Sequence, residues 1–241
     1  MSDILEELSR QRREDVPCVP DFAAAFSGPE IHVIAELKKA SPSEGLIRGD
    51  FDPVRLAGEL EGAGAAARSV LCEPHRFLGS EAYLRAVREV VRIPVLYKDF
   101  VTTPCQVAAA RVAGASAVLL IAAVLDDERL VRLLELTRDL GFSALVETHD
   151  EEEIDRAVAA GARIIGVNCR DLRTFKTDPS IVARLIGRIP SECVRIAESG
   201  IRTPEDVRAL HDAGANGFLI GTTLMRAVHP GEKLRELKGE Q

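Results

Sequence analysis

Short runs of Val, Ile, Leu and Ala alternate along the chain with segments whose apolar residues recur at helical spacing. The runs occupy residues 31–37, 67–71, 94–97, 117–122, 144–146, 163–167, 194–197 and 217–220. They are nearly continuous rather than alternating, as expected of parallel strands covered on both faces. Helices are predicted over 53–61, 81–91, 104–112, 127–140, 151–160, 180–187, 204–212 and 222–237. Eight strands, each followed by a helix, predict an α/β fold, a single (β/α)8 TIM barrel, whose usual length of about 250 residues matches the 241 present. An open doubly wound sheet would ordinarily carry a glycine-rich fingerprint directly after its first strand, and none follows residue 37.

Two local features support the barrel. Thr103-Pro104 and Thr203-Pro204 read as a helix N-cap followed by proline at the first helical position, placing helix starts soon after the third and seventh strands. The tripeptide Ala-Gly-Ala recurs around Gly64, Gly114, Gly161 and Gly214, each time ending a helix and preceding an even-numbered strand, where glycine takes the left-handed conformation. The repeating unit is a pair of βα modules, four times over. Residues 1–30 lie outside it as a short N-terminal helical extension, with 31–241 forming the barrel. Ile4, Leu5, Leu8 and Val16 make an apolar stripe on the extension, which either plugs one end of the barrel or closes over the active site.

Composition narrows the class. The net charge of −7 and the absence of a basic block argue against binding nucleic acid or an anionic membrane. The longest apolar stretch, Val112 to Leu125, is diluted by Gly114 and Ser116, well short of the roughly 20 residues a membrane helix needs. Five scattered cysteines without a Cys-x-x-Cys pair fit a reducing cytoplasm rather than a disulfide framework or a zinc site. His149 before Asp150-Glu151-Glu152-Glu153 hints at a metal, but acids in a first helical turn are favoured by the helix dipole. No metal is expected. Cys169 has no histidine near it in sequence and reads as a bystander rather than a nucleophile.

Charged residues recur where the strands end. Glu36 and Lys38 close the first strand, Lys98 the third, Glu147 the fifth, Asn168 the sixth and Glu198 the seventh. Alternate strand residues share a face, so Glu36 and Lys38 both point into the barrel mouth, the catalytic side of this architecture. Buried charges are expensive unless paired; six such residues from five strands imply a mutual network, a bound ligand, or both. The loops after the last two strands carry Ser199-Gly200 and Gly221-Thr222. Small residues and hydroxyls there suit a phosphate, so a phosphorylated small molecule is the expected partner.

These segments together resemble the indole-3-glycerol-phosphate synthase family of tryptophan biosynthesis. The resemblance spans roughly Ile31 to Leu237 and is carried by Ile34-Ala35-Glu36-Leu37-Lys38-Lys39-Ala40-Ser41-Pro42-Ser43, Lys98-Asp99-Phe100, Leu145-Val146-Glu147, Gly166-Val167-Asn168-Cys169-Arg170-Asp171-Leu172, Ala197-Glu198-Ser199-Gly200-Ile201 and Phe218-Leu219-Ile220-Gly221. It implies a carboxy-lyase needing no cofactor, which closes an indole ring on 1-(2-carboxyphenylamino)-1-deoxyribulose 5-phosphate with loss of CO2 and water. By resemblance Lys98 is the general acid at the ketone, and Lys38 lies near the substrate carboxylate or phosphate with Glu36 beside it. Glu147 is the acid/base when the hydroxyl leaves, and Asn168 and Glu198 orient substrate hydroxyls and Lys98. Ser199, Gly200, Gly221 and Thr222 would hold the phosphate. Pro42, Phe77 and Phe100 would wall the aromatic ring, with Ser41 and Arg170 as further substrate contacts. The family also suggests a monomer or weak homo-oligomer and contact with other tryptophan-pathway enzymes.

The sequence departs from the pattern in a shorter segment before the first strand, in Cys72-Glu73-Pro74-His75 after the second, and in Thr222 where serine is common. The rival readings are another phosphate-binding barrel (a sugar-phosphate isomerase, or a Schiff-base aldolase using Lys98) and a binding barrel without catalysis. The first lacks its matching acid/base segments, the second would be trapped by borohydride, and the third would bind without turnover.

Overall fold

The computed structural model describes residues 18–168 and 179–240. Its eight parallel strands are β1 (His32–Leu37), β2 (Ala67–Leu71), β3 (Val95–Lys98), β4 (Ala117–Ile121), β5 (Ser143–Thr148), β6 (Ile164–Asn168), β7 (Val194–Glu198) and β8 (Gly217–Ile220). They close in sequence order, β1 pairing with both β2 and β8. The surrounding helices are α1 (Pro53–Gly62), α2 (Glu81–Val90), α3 (Pro104–Val112), α4 (Asp127–Asp139), α5 (Glu151–Ala159), α6 (Pro179–Ile186), α7 (Pro204–Asp212), α8 (Thr222–Arg226) and α9 (Pro230–Lys238). The predicted (β/α)8 barrel is the observed architecture.

Strand parity divides the core in two. Val33, Ala35 and Leu37 of β1, with Val118 and Leu120 of β4, pack outward against the helices. Ile34, Leu96, Leu119, Leu145, Ile164 and Ile196 fill the barrel interior. That inner set is apolar toward the strand starts and gives way to charge at the strand ends, so the floor of the mouth is made by layered side chains rather than a pore. Phe22 and Phe26, flanking the 3-10 turn Ala23–Phe26, are buried with the inner set, their rings edge-on with centroids 5.2 Å apart. Gly217 makes room for them: a Cβ there would sit 2.7 Å from the Phe26 ring. The helix predicted around Ile4, Leu5, Leu8 and Val16 lies outside the described residues.

Local chemistry follows the sequence closely. Thr103 with Gln106, and Thr203 with Asp206, form reciprocal capping boxes ahead of Pro104 and Pro204. The four Ala-Gly-Ala glycines have φ of +82°, +88°, +83° and +101°, the left-handed turn that ends a helix. Three differences stand out. The strands β3, β5, β6 and β7 run on through Lys98, Glu147, Asn168 and Glu198, which therefore sit on rigid ladder rather than loop. The last predicted helix is broken into α8 and α9 by Pro230, which has no N–H to continue α8 and instead starts α9. The loop after β1 folds into a two-residue hairpin, Ala40–Ser41 against Gly45–Leu46. Arg48 ties that loop to α8 by donating to the carbonyls of Met225 at 3.2 Å and Ala227 at 2.9 Å, and Glu44 pairs with Arg226.

Candidate active site

The strand ends enclose a cavity of about 550 Å3. Its polar wall is Glu36, Lys38, Lys98, Glu147, Asn168 and Glu198, so all six residues expected from the strand-end pattern converge on one space. Lys98 stands between two carboxylates, its Nζ 3.1 Å from Glu147 Oε2 and 3.1 Å from Glu198 Oε2. Lys38 Nζ lies 2.7 Å from Glu36 Oε1 at the end of the same strand, β1. Glu36 Oε2 and Glu198 Oε1 are buried acceptors without a hydrogen-bond partner among the described residues, although each such oxygen is costly to leave unmatched.

The electrostatics follow from this crowding. Burial disfavours the Lys98 ammonium, yet Glu198, Glu147 and Glu36 outweigh burial and raise its pKa above that of an ordinary lysine. Burial likewise pushes Glu147 up, but Lys98, His149 and Asn168 together hold its carboxyl well below the usual carboxylate range. Glu198 goes the other way: burial and the neighbouring Glu147 charge raise it despite Lys98. Two buried carboxylates on one ammonium cannot both ionise freely, and here their pKa values are driven apart, Glu147 down and Glu198 up.

The remaining expected residues are placed as follows. Ser41, Pro42, Phe77, Phe100, Ser199, Gly200, Gly221 and Thr222 all line the cavity. The rings of Phe77 and Phe100 meet with centroids 6.4 Å apart, and Leu71, Leu119, Ile121 and Leu219 complete an apolar wall. Arg170 and Cys169 lie outside the described residues. Ser199 and Gly200 have φ of +68° and +74°, two successive left-handed residues that turn the β7 loop sharply beside the cavity. A serine held there stores strain of order 1–3 kcal/mol, a cost concentrated at functional sites. Thr223 Oγ1 donates to Ile201 O at 2.6 Å, fastening the β8 loop to the β7 loop.

Several site residues had no signal of their own in the pattern. Arg202 and Lys233 line the same cavity as Ser199 and Gly221, adding cations that helix and loop packing alone brings there. Glu73 accepts the backbone N–H groups of His75, Arg76 and Phe77 at 2.8, 2.6 and 2.9 Å, which shapes the loop that carries Phe77. Gly166 of β6 is small because Glu198 lies over it; a Cβ would meet Glu198 Oε1 at 2.2 Å. His149 packs behind Glu147, and among the described residues no group of three His, Cys, Asp or Glu side chains is arranged to hold a metal ion.

Gly221 supplies a direct test of this geometry. Its φ of −117° is open to any residue, but a Cβ would lie 2.2 Å from Glu36 Oε1 and 3.0 Å from Lys38 Nζ. Both atoms end flexible side chains, so the fold can absorb Gly221→Ala while the ion pair moves. Steady-state kinetics should show kcat/KM lowered roughly 10²-fold, the cost of a displacement of about 1 Å in a positioned site, with a thermal midpoint within a few degrees of the parent.

Comparison with known proteins agrees with the site. The family model for indole-3-glycerol phosphate synthase matches residues 3–237. The chain belongs to the indole-3-glycerol phosphate synthase family. It is 49 % identical over 217 residues to the indole-3-glycerol phosphate synthase of Lachnoclostridium phytofermentans, covering 90 % of this chain and 80 % of that protein. It is 48 % identical over 228 residues to the synthase of a Parafrankia species, covering 95 % and 85 %. Among solved structures, 3-hexulose-6-phosphate synthase from Salmonella typhimurium superimposes with a TM-score of 0.69 at 13 % identity, covering 86 % of this chain and 97 % of that one, which shows a shared barrel. Membership of the synthase family supports the lyase reading implied by the resemblance, and with it a phosphorylated small-molecule substrate. Among the described residues no helix is long and apolar enough to cross a membrane.

Proposed function

We propose that this site forms indole-3-glycerol phosphate by general acid/base catalysis, with Lys98 as the first proton donor. The observation that carries the reading is Lys98 itself, partly buried at a strand end and held between Glu147 and Glu198. As the ring carbon bearing the carboxylate attacks the ketone, the carbonyl oxygen becomes an alkoxide, a far stronger base than either glutamate, and takes a proton from Lys98. The new carbon–carbon bond interrupts aromaticity. Loss of CO2 returns the electron pair to the ring. The hydroxyl then departs as water as the adjacent ring carbon loses a proton, with Glu147, the acid/base of this stage, taking that proton and returning it to the leaving oxygen.

Around that sequence, Lys38 attracts the substrate carboxylate or phosphate with Glu36 beside it. Asn168 and Glu198 orient Lys98 and the substrate hydroxyls. Ser199, Gly200, Gly221 and Thr222 hold the phosphate with Arg202 and Lys233 nearby, while Pro42, Phe77 and Phe100 wall the aromatic ring. Ser41 and Arg170 are further substrate contacts. Anchoring both ends of a flexible chain brings ring carbon and ketone into contact, a large part of the rate in such reactions. The described cysteines are free thiols, which suits work in the cytoplasm as a monomer or weak homo-oligomer beside other tryptophan-pathway enzymes.

Borohydride distinguishes this route from a Schiff-base aldolase, the rival that would also use Lys98. Incubation with the carboxyphenylamino-deoxyribulose phosphate and borohydride should leave the protein mass unchanged while indole product forms. A substrate-dependent mass increase on Lys98 would overturn the general-acid role.

A further inference from the structure

Glu147 and Glu198 are alike in the contact they make with Lys98, each at 3.1 Å, and both are buried. They differ in what stands behind them. Glu198 Oε1 has no hydrogen-bond partner among the described residues. Glu147 Oε1 lies 3.5 Å from Nε2 of His149, an ion-pair contact rather than a hydrogen bond, and the His149 side chain does not line the cavity. His149 is fixed from its far side. Its Nδ1 is 3.0 Å from Glu153 Oε2, and the same oxygen accepts the His149 backbone N–H at 2.8 Å. Glu153 is itself locked by α5, its N–H donating to the cap residue Asp150 at 2.9 Å. The result is a row of alternating charge, Lys98–Glu147–His149–Glu153, running from the cavity to the start of α5.

We propose that His149, held as a cation by Glu153, is a positioning residue that keeps the negative charge on Glu147 rather than on Glu198 and so gives the two carboxylates different roles. This inference rests on the acid/base assignment above and extends it to a residue that touches no substrate. An imidazole between two carboxylates is a cation by elementary electrostatics. Burial would lower the His149 pKa, but Glu147 and Glu153 outweigh it and push it up to about 10. The titratable groups in this cluster are Glu153 of α5, Glu147 of β5 and, through Glu147, Lys98 of β3 and Glu198 of β7; Asn168 of β6 also bonds to Glu147. Without the cation, Glu147 and Glu198 share Lys98 on nearly equal terms, and the proton needed on one and absent from the other is no longer assigned.

The test compares the parent protein with His149→Gln and Glu153→Gln. Glutamine keeps the size and a hydrogen-bond donor but cannot carry charge. His149→Gln should lower kcat about tenfold and move the acid limb of the kcat–pH profile up by about one unit, with KM changed less than about twofold. Glu153→Gln should shift the same limb in the same direction by less. A His149→Gln profile that superimposes on the parent would mean that His149 is only a structural brace, and would overturn the proposal.

NMR titration of His149 in the unmutated chain tests the charge independently, whether or not the variants fold. The five histidines are assigned with single glutamine variants of the other four. The imidazole should remain protonated well past neutrality; titration near 6.5 would overturn the proposal. Because its folded pKa is raised, the stability it contributes is present below about 6.5 and lost as pH rises toward about 10. The difference in thermal midpoint between parent and His149→Gln should shrink over that window. Should the parent protein form no indole at all, the proposed reaction fails while the NMR titration still decides the charge on His149.

Discussion

Replacing Lys98 with alanine should lower kcat by about 10²–10⁴-fold, the range for loss of a positioned proton donor, and leave a barrel that still binds substrate. The same change removes the ammonium that lies 3.1 Å from both Glu147 and Glu198. Breaking a buried pair costs about 3–5 kcal/mol because the partner charge is left uncompensated. That cost depends on pH. With Lys98 gone both carboxyls are buried beside a like charge, so their folded pKa values rise above the ordinary value. An acid whose folded pKa is raised is destabilising once pH climbs past the unfolded pKa, and the penalty disappears as pH falls below it. Urea melts should therefore show the variant weakened near pH 8 and close to the parent only near pH 4, below the ordinary glutamate pKa of about 4.3, while kinetics at neutral pH show the lost turnover. Near-native kcat would contradict the general-acid role.

Glu147→Gln should produce the second-largest loss, again about 10²–10⁴-fold in kcat, but at a different step. Glutamine matches the shape of the side chain and can still accept from Lys98, so ring closure and decarboxylation should survive better than loss of the hydroxyl. A single turnover followed by both CO2 release and indole fluorescence should show CO2 leading and indole lagging. Equal slowing of both signals would place Glu147 earlier in the sequence. Stability also reports on the residue. The folded pKa of Glu147 is depressed, so its contribution is present above the ordinary carboxylate pKa and lost as pH falls through the folded one. The variant should be less stable than the parent at neutral pH, and the gap should close on acidification.

Much of this site was legible because charge at the end of an apolar strand is physically expensive. Glu36, Lys38, Lys98, Glu147, Asn168 and Glu198 could be singled out without knowing which strands were neighbours, since each broke the apolar pattern at the same place in the βα unit. Gly166 could not. Its reason is Glu198, whose Oε1 would meet its Cβ at 2.2 Å, and that fact exists only once β6 and β7 are paired. Arg202 and Lys233 were equally invisible as site residues, being ordinary surface cations until the packing of their elements turns them to the cavity.

His149 is a different case, because its spacing carried the signal. It stands two residues after Glu147, on the same side of the strand end, and four before Glu153, one turn along. The acid run around it invited an explanation by helix dipole that accounts for Asp150 to Glu153 but not for the histidine. The hairpin of Ala40–Ser41 with Gly45–Leu46 is too short for any periodicity, and the break at Pro230 follows from the rule that proline starts helices more readily than it continues them.

The central claim is that this barrel converts a carboxyphenylamino-deoxyribulose phosphate to an indole with its own side chains as acid and base. The most direct test is purified protein with that substrate and no added cofactor or metal, followed by indole fluorescence. The chain contains no Trp and two Tyr, so the product appears against a quiet background. The account predicts an indole signal that grows with turnover and is nearly abolished by Lys98→Ala. Substrate binding without any indole signal from the parent protein would contradict it.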